Sequence, residues 1–387
     1  MIKAIDIRNP KEKLTLRGLE FEQAAEFLDG DRVRTPILVL YRSKVRENLE
    51  RLASALPGIA IHYAIKSNNH PAVLEEVARL SHRFDVASFQ ELKLVIEAGG
   101  HPEEQIHSHP IKSPYEIADA VKAGVKLFVI DNPDEIDKFI SYAGKVRLMV
   151  RFKVENDQAV VNLSYKFGCL PQEVIGLAEK IRECGLEYYG LAFHVGSQSM
   201  TNNVYITAID ISADLIAQLK ARGLETTLLD IGGGFPVPYT ELVPSLEDFC
   251  GPIRKRLTEK IDPNIKLVCE PGRYISATAV TLVASVIGKS VRSGKRWYFL
   301  DDGLYGSFSG RLYDHCKYQI LTNRNTTWKR SVLAGPTCDS FDVIYRDIIL
   351  PPLDVGDLLV FPAMGAYCAV SSSSFNCLRK AEYIVVD

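Results

Sequence analysis

Nowhere in this chain of 387 residues do apolar residues run to the roughly 18 that a membrane span requires. The opening MIKAIDIRNPKEK also lacks the long apolar core of a secretory leader. A cytoplasmic protein with no membrane partner is expected. Charge of one sign is missing too: 46 Lys and Arg against 48 Asp and Glu leave a net charge of −2. With pI ≈ 6.5, there is no field to attract a polyanion, and nucleic acid is not an expected partner. No C-x-x-C pair occurs among the eight cysteines, at 169, 184, 250, 269, 316, 338, 368 and 377. A chain this long needs no stapling, so reduced and mostly buried thiols are expected. No low-complexity stretch or linker marks a boundary, which leaves the pattern of elements to define the domains.

That pattern is regular. Eight short apolar, β-branched runs recur from residue 59: IAIHYAI (59–65), RFDVAS (83–88), QIHSHP (105–110), KLFVIDN (126–132), VRLMVRF (146–152), YYGLAFHV (188–195), TTLLDIG (226–232) and IKLVCE (265–270). Between them lie segments with helical spacing, such as PAVLEEVARL (71–80), FQELKLVIEAG (89–99), SPYEIADAVKAG (113–124) and NVYITAIDISADLIAQLKARG (203–223). Strand and helix alternating eight times predict an α/β fold, a (β/α)8 barrel of the TIM type over 35–275. A doubly wound open sheet is the alternative, but it would not need eight repeats. From 276 to 387 the texture changes to Val, Ile, Tyr and Ser with turns such as VRSGKR and LPPLDVGD. This predicts a C-terminal all-β domain, sandwich-like or barrel-like. Residues 1–34, with a strand candidate KLTLRG and a helix candidate EFEQAAEFL, are expected to complete it.

Barrel enzymes carry their reacting groups at the C-terminal ends of the strands. There the chain places Lys66 after strand one, His194 after strand six, Gly232, Gly233 and Gly234 after strand seven, and Glu270, Gly272 and Arg273 after strand eight. Three glycines can wrap backbone N–H groups around an anion, and an arginine one strand later supplies the opposing charge. A tight turn would also explain the glycines alone. No Lys-Ser/Thr follows them and the G-x-G-x-x-G spacing is absent, which excludes a P-loop and a dinucleotide fingerprint. Lys66 ends an apolar strand, where partial desolvation would free its amine for carbonyl chemistry; standing alone, it could instead snorkel to solvent. Glu270 could be no more than an ion-pair partner for Arg273. A phosphate cradle, an aldehyde-seeking lysine and an inward carboxylate in one mouth nevertheless point to pyridoxal 5'-phosphate.

The motifs HYAIKSN, FDVAS, KFG (166–168), FHVGSQ, DIGGGFP, EPGR, YGSFSGRLYDH, GPTCDSFD and MGAYC follow one another from about residue 35 to the C-terminus. In this order they resemble the barrel-fold (fold type III, alanine-racemase-like) pyridoxal-phosphate decarboxylases of basic amino acids, ornithine-type members above all. The resemblance implies that Lys66 bonds the cofactor's aldehyde, His194 stacks on its ring, and Glu270 pairs with the ring nitrogen. Ser197, Gly233, Gly234, Gly272, Arg273 and Tyr367 would hold the phosphate, with Asp85 and Arg151 around the lysine and ring. Cys338 would return a proton to the α-carbon. A carboxylate at the ring nitrogen keeps it protonated and makes the ring a strong electron sink, which favours decarboxylation. In alanine racemases of the same fold an arginine stands there.

For the substrate, the resemblance assigns the distal ammonium to Asp314 of YDH and to Asp339 after Cys338, with Tyr305 and Phe375 as further substrate-site residues. L-ornithine to putrescine, a step of polyamine biosynthesis, is the implied reaction. L-lysine to cadaverine is a second one, because one methylene is worth only about 1–3 kcal/mol of discrimination. Relatives acting on diaminopimelate carry Glu where this chain has Asp339 and an arginine where it has Ser309. Arg311, two residues on, is expected to point to solvent. Facing the pocket, it would suit a carboxylate-bearing substrate such as a citryl-diamino acid. Non-catalytic regulatory relatives also exist, but they have lost cofactor residues that this chain keeps. The family further implies a homodimer with shared active sites, Lys166 of one chain pairing with Asp342 of the other. His107 and His109 share a strand face and could bind a metal, but no carboxylate or cysteine partner is evident; no metal is expected.

Overall fold

The computed structural model describes residues 2–3, 5–6, 34–155, 159–161, 165–324 and 326–387; KLTLRG and EFEQAAEFL lie outside them. The chain forms two compact units, one of residues 45–236 and 243–275, the other of residues 1–44, 237–242 and 276–387.

The first unit is a nearly closed parallel barrel. Its strands are Phe84–Val86, Ile106–His107, Leu127–Ile130, Arg147–Phe152, Glu187–Phe193, Leu228–Asp230 and Lys266–Cys269, each beside the next. The first strand is split to serve both neighbours. Ile59–Ile61 pairs with Lys266–Cys269, and Tyr63–Ala64 pairs with Phe84–Val86. At the break, His62 N donates to Cys269 O at 2.9 Å and Tyr63 N donates to Arg83 O at 3.1 Å. Ile106, Val129, Met149, Ala192, Leu228 and Val268 form a buried cluster, supplied by six different strands. This is the layered interior of a packed barrel.

The helix candidates form where spacing and caps agree. Pro71–Leu80 starts on a proline, as the first helical turn favours, and Ser88 accepts from Glu91 N at the start of Phe89–Glu97. Pro114–Ala123 begins on Ser113 and ends at Gly124 with φ +110. Among the described residues the longest helix is Asn203–Ala221, at 19 residues, and none is long and apolar enough to cross a membrane.

The second unit is a curled mixed sheet built on the 13-residue strand Val280–Arg292. That strand pairs antiparallel with Lys295–Leu300, Leu358–Phe361 and Ile37–Tyr41. The N-terminal residues join it as expected, Ile2–Lys3 beside Val343–Leu350 and Ile5–Asp6 beside Leu321–Thr322. The expected barrel start at 35 needs correction. Ile37 and Val39 pack with Val283, Leu321 and Val360 in the β core, so the chain leaves this unit only after residue 44.

Candidate active site

Lys66 follows the first strand in the 3-10 turn Ile65–Ser67, which carries it out of strand register. Its Nζ lies 2.5 Å from Oδ2 of buried Asp85, whose Oδ1 accepts from Ser108 Oγ. The Lys66 side chain is 41% exposed, so its desolvation is partial, and a carboxylate rather than an apolar wall engages its ammonium.

His194 accepts from Gly196 N at Nδ1, 3.0 Å away. Burial, then the charges of Arg151 and Lys66, hold its pKa well below the usual value, so the imidazole is neutral. Arg151 is half-buried, with its guanidinium 5.7 Å from the Phe167 ring centroid. Two buried acids face each other at the ends of strands seven and eight. Burial raises both pKa values, and a hydrogen bond joins the two carboxyl groups. Asp230 Oδ1 also accepts from Gly232 N at 2.8 Å. Among the described residues, Glu270 Oε1 is buried without a hydrogen-bond partner.

The glycine loop lies against this pair. A Cβ on Gly233 would meet Glu270 O at 2.4 Å, and one on Gly234, where φ is +112, would meet Gly196 O at 2.3 Å. Any side chain there would displace backbone. Ser197 Oγ accepts from Arg273 at 3.2 Å from Nε and 2.9 Å from Nη2. Gly272 packs strand eight onto strand one, since its Cβ would meet Ser67 Cβ at 2.8 Å.

The remaining predicted residues lie in the β unit. Tyr305 OH donates to Asp339 Oδ2, and Phe341 N donates to Oδ1 at 2.9 Å. These bonds hold the Asp339 carboxyl below its ordinary pKa, keeping it ionised. The Tyr305 ring stacks on Phe375 at 4.5 Å. Both rings line a cavity of about 520 Å3 with Ser309, Leu312, Tyr313 and Phe341. Cys338 is exposed, its N donating to Asn376 Oδ1 at 3.0 Å. Asp314 follows the helical turn Gly310–Tyr313 and does not line that cavity. Tyr367 has φ +57, a rare conformation for a bulky residue and one that surrounding structure must impose.

Three expectations change here. Arg311 points neither to solvent nor into a pocket: Nε donates to Ile344 O at 3.1 Å, Nη1 donates to Cys316 O at 2.7 Å, and the guanidinium lies 4.4 Å from the Tyr345 ring centroid. Asp342, expected to pair with a partner's Lys166, is buried in its own unit, where it accepts from Leu304 N at 2.7 Å and from Thr337 N and Oγ1 at 3.1 and 2.8 Å. His107 and His109 do not share a strand face, because pairing stops at His107. His107 stacks on Phe128 at 5.6 Å and burial pushes its pKa down to about 3, whereas His109 meets the edge of Phe167. Among the described residues, no group of three His, Cys, Asp or Glu side chains could hold a metal.

Residues 42–277 match the family described as "Pyridoxal-dependent decarboxylase, pyridoxal binding domain". The chain belongs to this family. It is 38% identical to the lysine/ornithine decarboxylase of Selenomonas ruminantium over 92% of this chain and 91% of that one. The crystal structure of a lysine/ornithine decarboxylase from Vibrio vulnificus complexed with putrescine superposes with TM-score 0.89 at 39% identity, covering 95% of this chain and 99% of that one. A structure of SrLDC in complex with PLP and cadaverine gives TM-score 0.89 at 36% identity, covering 95% and 94%.

The cofactor of this decarboxylase is pyridoxal phosphate, and the barrel fits it. A buried carboxyl with a raised pKa and an unpartnered oxygen suits a ring nitrogen that takes a proton, and the glycine loop beside Arg273 suits a phosphate. Sequence reasoning missed Asp230 and Ser108, which brace Glu270 and Asp85. Asp230 was visible as an acid ending the apolar run TTLLD, but nothing in the sequence reveals Ser108 as a partner for Asp85.

Proposed function

We propose that this enzyme removes the α-carboxyl group of L-ornithine and of L-lysine, releasing CO2 with putrescine or cadaverine. The observation that carries the reading is Asp339, an ionised carboxylate beside an aromatic-lined cavity, with the nearby Arg311 tied to main-chain carbonyls. Such a site favours a cationic terminus and offers a second carboxylate nothing from Arg311. The bound cofactor supplies an electron sink for the pair left when the Cα–carboxylate bond breaks. Lys66 would hold its aldehyde carbon, with Asp85 orienting the amine. Glu270 would hold a proton at the ring nitrogen, neutral His194 would lie on the ring face, and Arg151 would balance the nearby acids. Ser197, Gly233, Gly234, Gly272, Arg273 and Tyr367 would hold the phosphate. Asp339 would receive the distal ammonium, with Asp314, outside the cavity lining, as the second acid that the family resemblance implies; Tyr305 and Phe375 would flank the chain, and Cys338 would return the proton to Cα.

The test is CO2 release from ornithine, lysine, diaminopimelate and a citryl-diamino acid. Release from the two basic substrates is expected. Release from the acidic ones alone would overturn the reading.

The same reading makes the enzyme a cytoplasmic homodimer with shared sites. Tyr313, Phe341 and Phe375 are 70%, 52% and 40% exposed around the cavity, a cluster of rings that a second chain would cover. Mixing equal amounts of Lys66→Ala and Cys338→Ala chains, each impaired alone, should restore about a quarter of wild-type activity if subunits exchange within a twofold dimer. No recovery at all after exchange would count against shared sites.

A further inference from the structure

We propose that Tyr205 is a positioning residue for the cofactor phosphate, its phenol fixing the Gly233–Gly234 peptide so that Gly234 N–H faces the anion. This rests on the reading above that the glycine loop is the phosphate cradle. Each carbonyl of the loop is held from behind. Gly232 O accepts from Glu270 N at 2.9 Å, Gly233 O from Tyr205 OH at 2.7 Å, and Gly234 O from Ser199 N at 2.9 Å. In a trans peptide the C=O and the following N–H point in opposite directions. Pinning these carbonyls therefore turns the N–H groups of Gly233, Gly234 and Phe235 away from their clamps. Among the described residues, neither Gly233 N–H nor Gly234 N–H has a backbone acceptor. Gly233 is buried and Gly234 partly exposed, so the loop presents its open side at Gly234.

Two of the three clamps are backbone groups, but the middle one is a side chain. Tyr205 lies on the helix Asn203–Ala221, fully buried, with its ring 6.3 Å from Phe193, 5.8 Å from Phe235 and 5.9 Å from Phe249. That aromatic packing fixes where the hydroxyl ends. Burial also raises the phenol pKa, so the group remains a donor. Tyr205→Phe would keep the packing and delete one donor, leaving Gly233 O unpaired and its peptide free to rotate.

The experiment titrates apoprotein with pyridoxal phosphate and, in parallel, with pyridoxal, following the visible absorbance; inorganic phosphate is added as a competitor. Wild type should prefer pyridoxal phosphate. Tyr205→Phe should weaken pyridoxal phosphate and inorganic phosphate roughly tenfold each, with pyridoxal affinity nearly unchanged and Tm lowered by several degrees at most. An undiminished phosphate preference in the variant would overturn the assignment of Tyr205, as would equal weakening of both aldehydes. A wild type with no preference for the phosphorylated aldehyde would instead overturn the cradle on which the inference rests.

Discussion

Replacing Lys66 with alanine is expected to lower kcat/KM by roughly three to four orders of magnitude, the usual cost of removing a covalent catalytic group. The reason is positional. The Lys66 amine lies 2.5 Å from Asp85, itself held by Ser108. Lys66→Arg should not rescue it, because a guanidinium stays charged and cannot attack an aldehyde carbon. The partner of Lys66, Asp85, is buried, so the alanine substitution also leaves a carboxylate without its cation and should lower Tm; turnover is therefore compared at a temperature where both proteins are folded. The measurements are turnover and visible absorbance. Wild type should show the long-wavelength band of lysine-bound cofactor, abolished by borohydride, whereas the variant with added cofactor should show only free aldehyde absorbance. Near-normal turnover in Lys66→Ala would remove the lysine from the mechanism.

Substituting Glu270 tests a different property, the charge proposed to face the cofactor ring. Glu270→Ala should lower kcat by about two to three orders of magnitude with a smaller change in KM, since in the proposed role the group would act on developing charge more than on binding. Glu270→Gln separates shape from ionisation and should fall nearly as far. The same variant should also change stability in a pH-dependent way. Both acids of the Asp230–Glu270 pair have pKa values raised by burial. A carboxyl that is raised in the folded state favours folding while protonated. That contribution is fully present below the unfolded value of about 4 and is lost as pH climbs through the raised folded value. The Tm of wild-type apoprotein relative to that of Glu270→Gln should therefore decline from acidic toward neutral pH. A variant that is slower yet at least as stable near neutral pH would fit an acid retained for catalysis at the expense of folding. A Glu270→Gln enzyme with unchanged kcat would show that the carboxyl is structural.

The barrel was legible because a period of strand then helix, repeated eight times, has few other solutions. The helices at 71–80 and 113–124 were readable to within a residue or two because Pro71, Ser113 and Gly124 punctuate their ends. The boundary at 35 was not readable, since an apolar strand such as ILVLY carries no mark of which sheet it will join. His109 failed for a related reason: the alternation that would put it on the face of His107 holds only while the strand continues, and pairing stops at His107. Arg311 was misread because a charged side chain on a short helix usually faces water, and only the fold brings the carbonyls of Cys316 and Ile344 within its reach.

By itself, then, the sequence determined the architecture and the kinds of group at the strand ends: a lysine, a histidine, three glycines, an acid and an arginine. These follow from local periodicity and from residue chemistry, both written along the chain. Only the tertiary structure decided how those groups are paired: Lys66 with Asp85, Glu270 with Asp230, Gly233 with Tyr205, and Arg311 with the main chain. The physical reason is that burial, hydrogen bonding and pKa depend on neighbours that are 19, 40, 28 and 33 residues away in these four cases, and only folding brings them together.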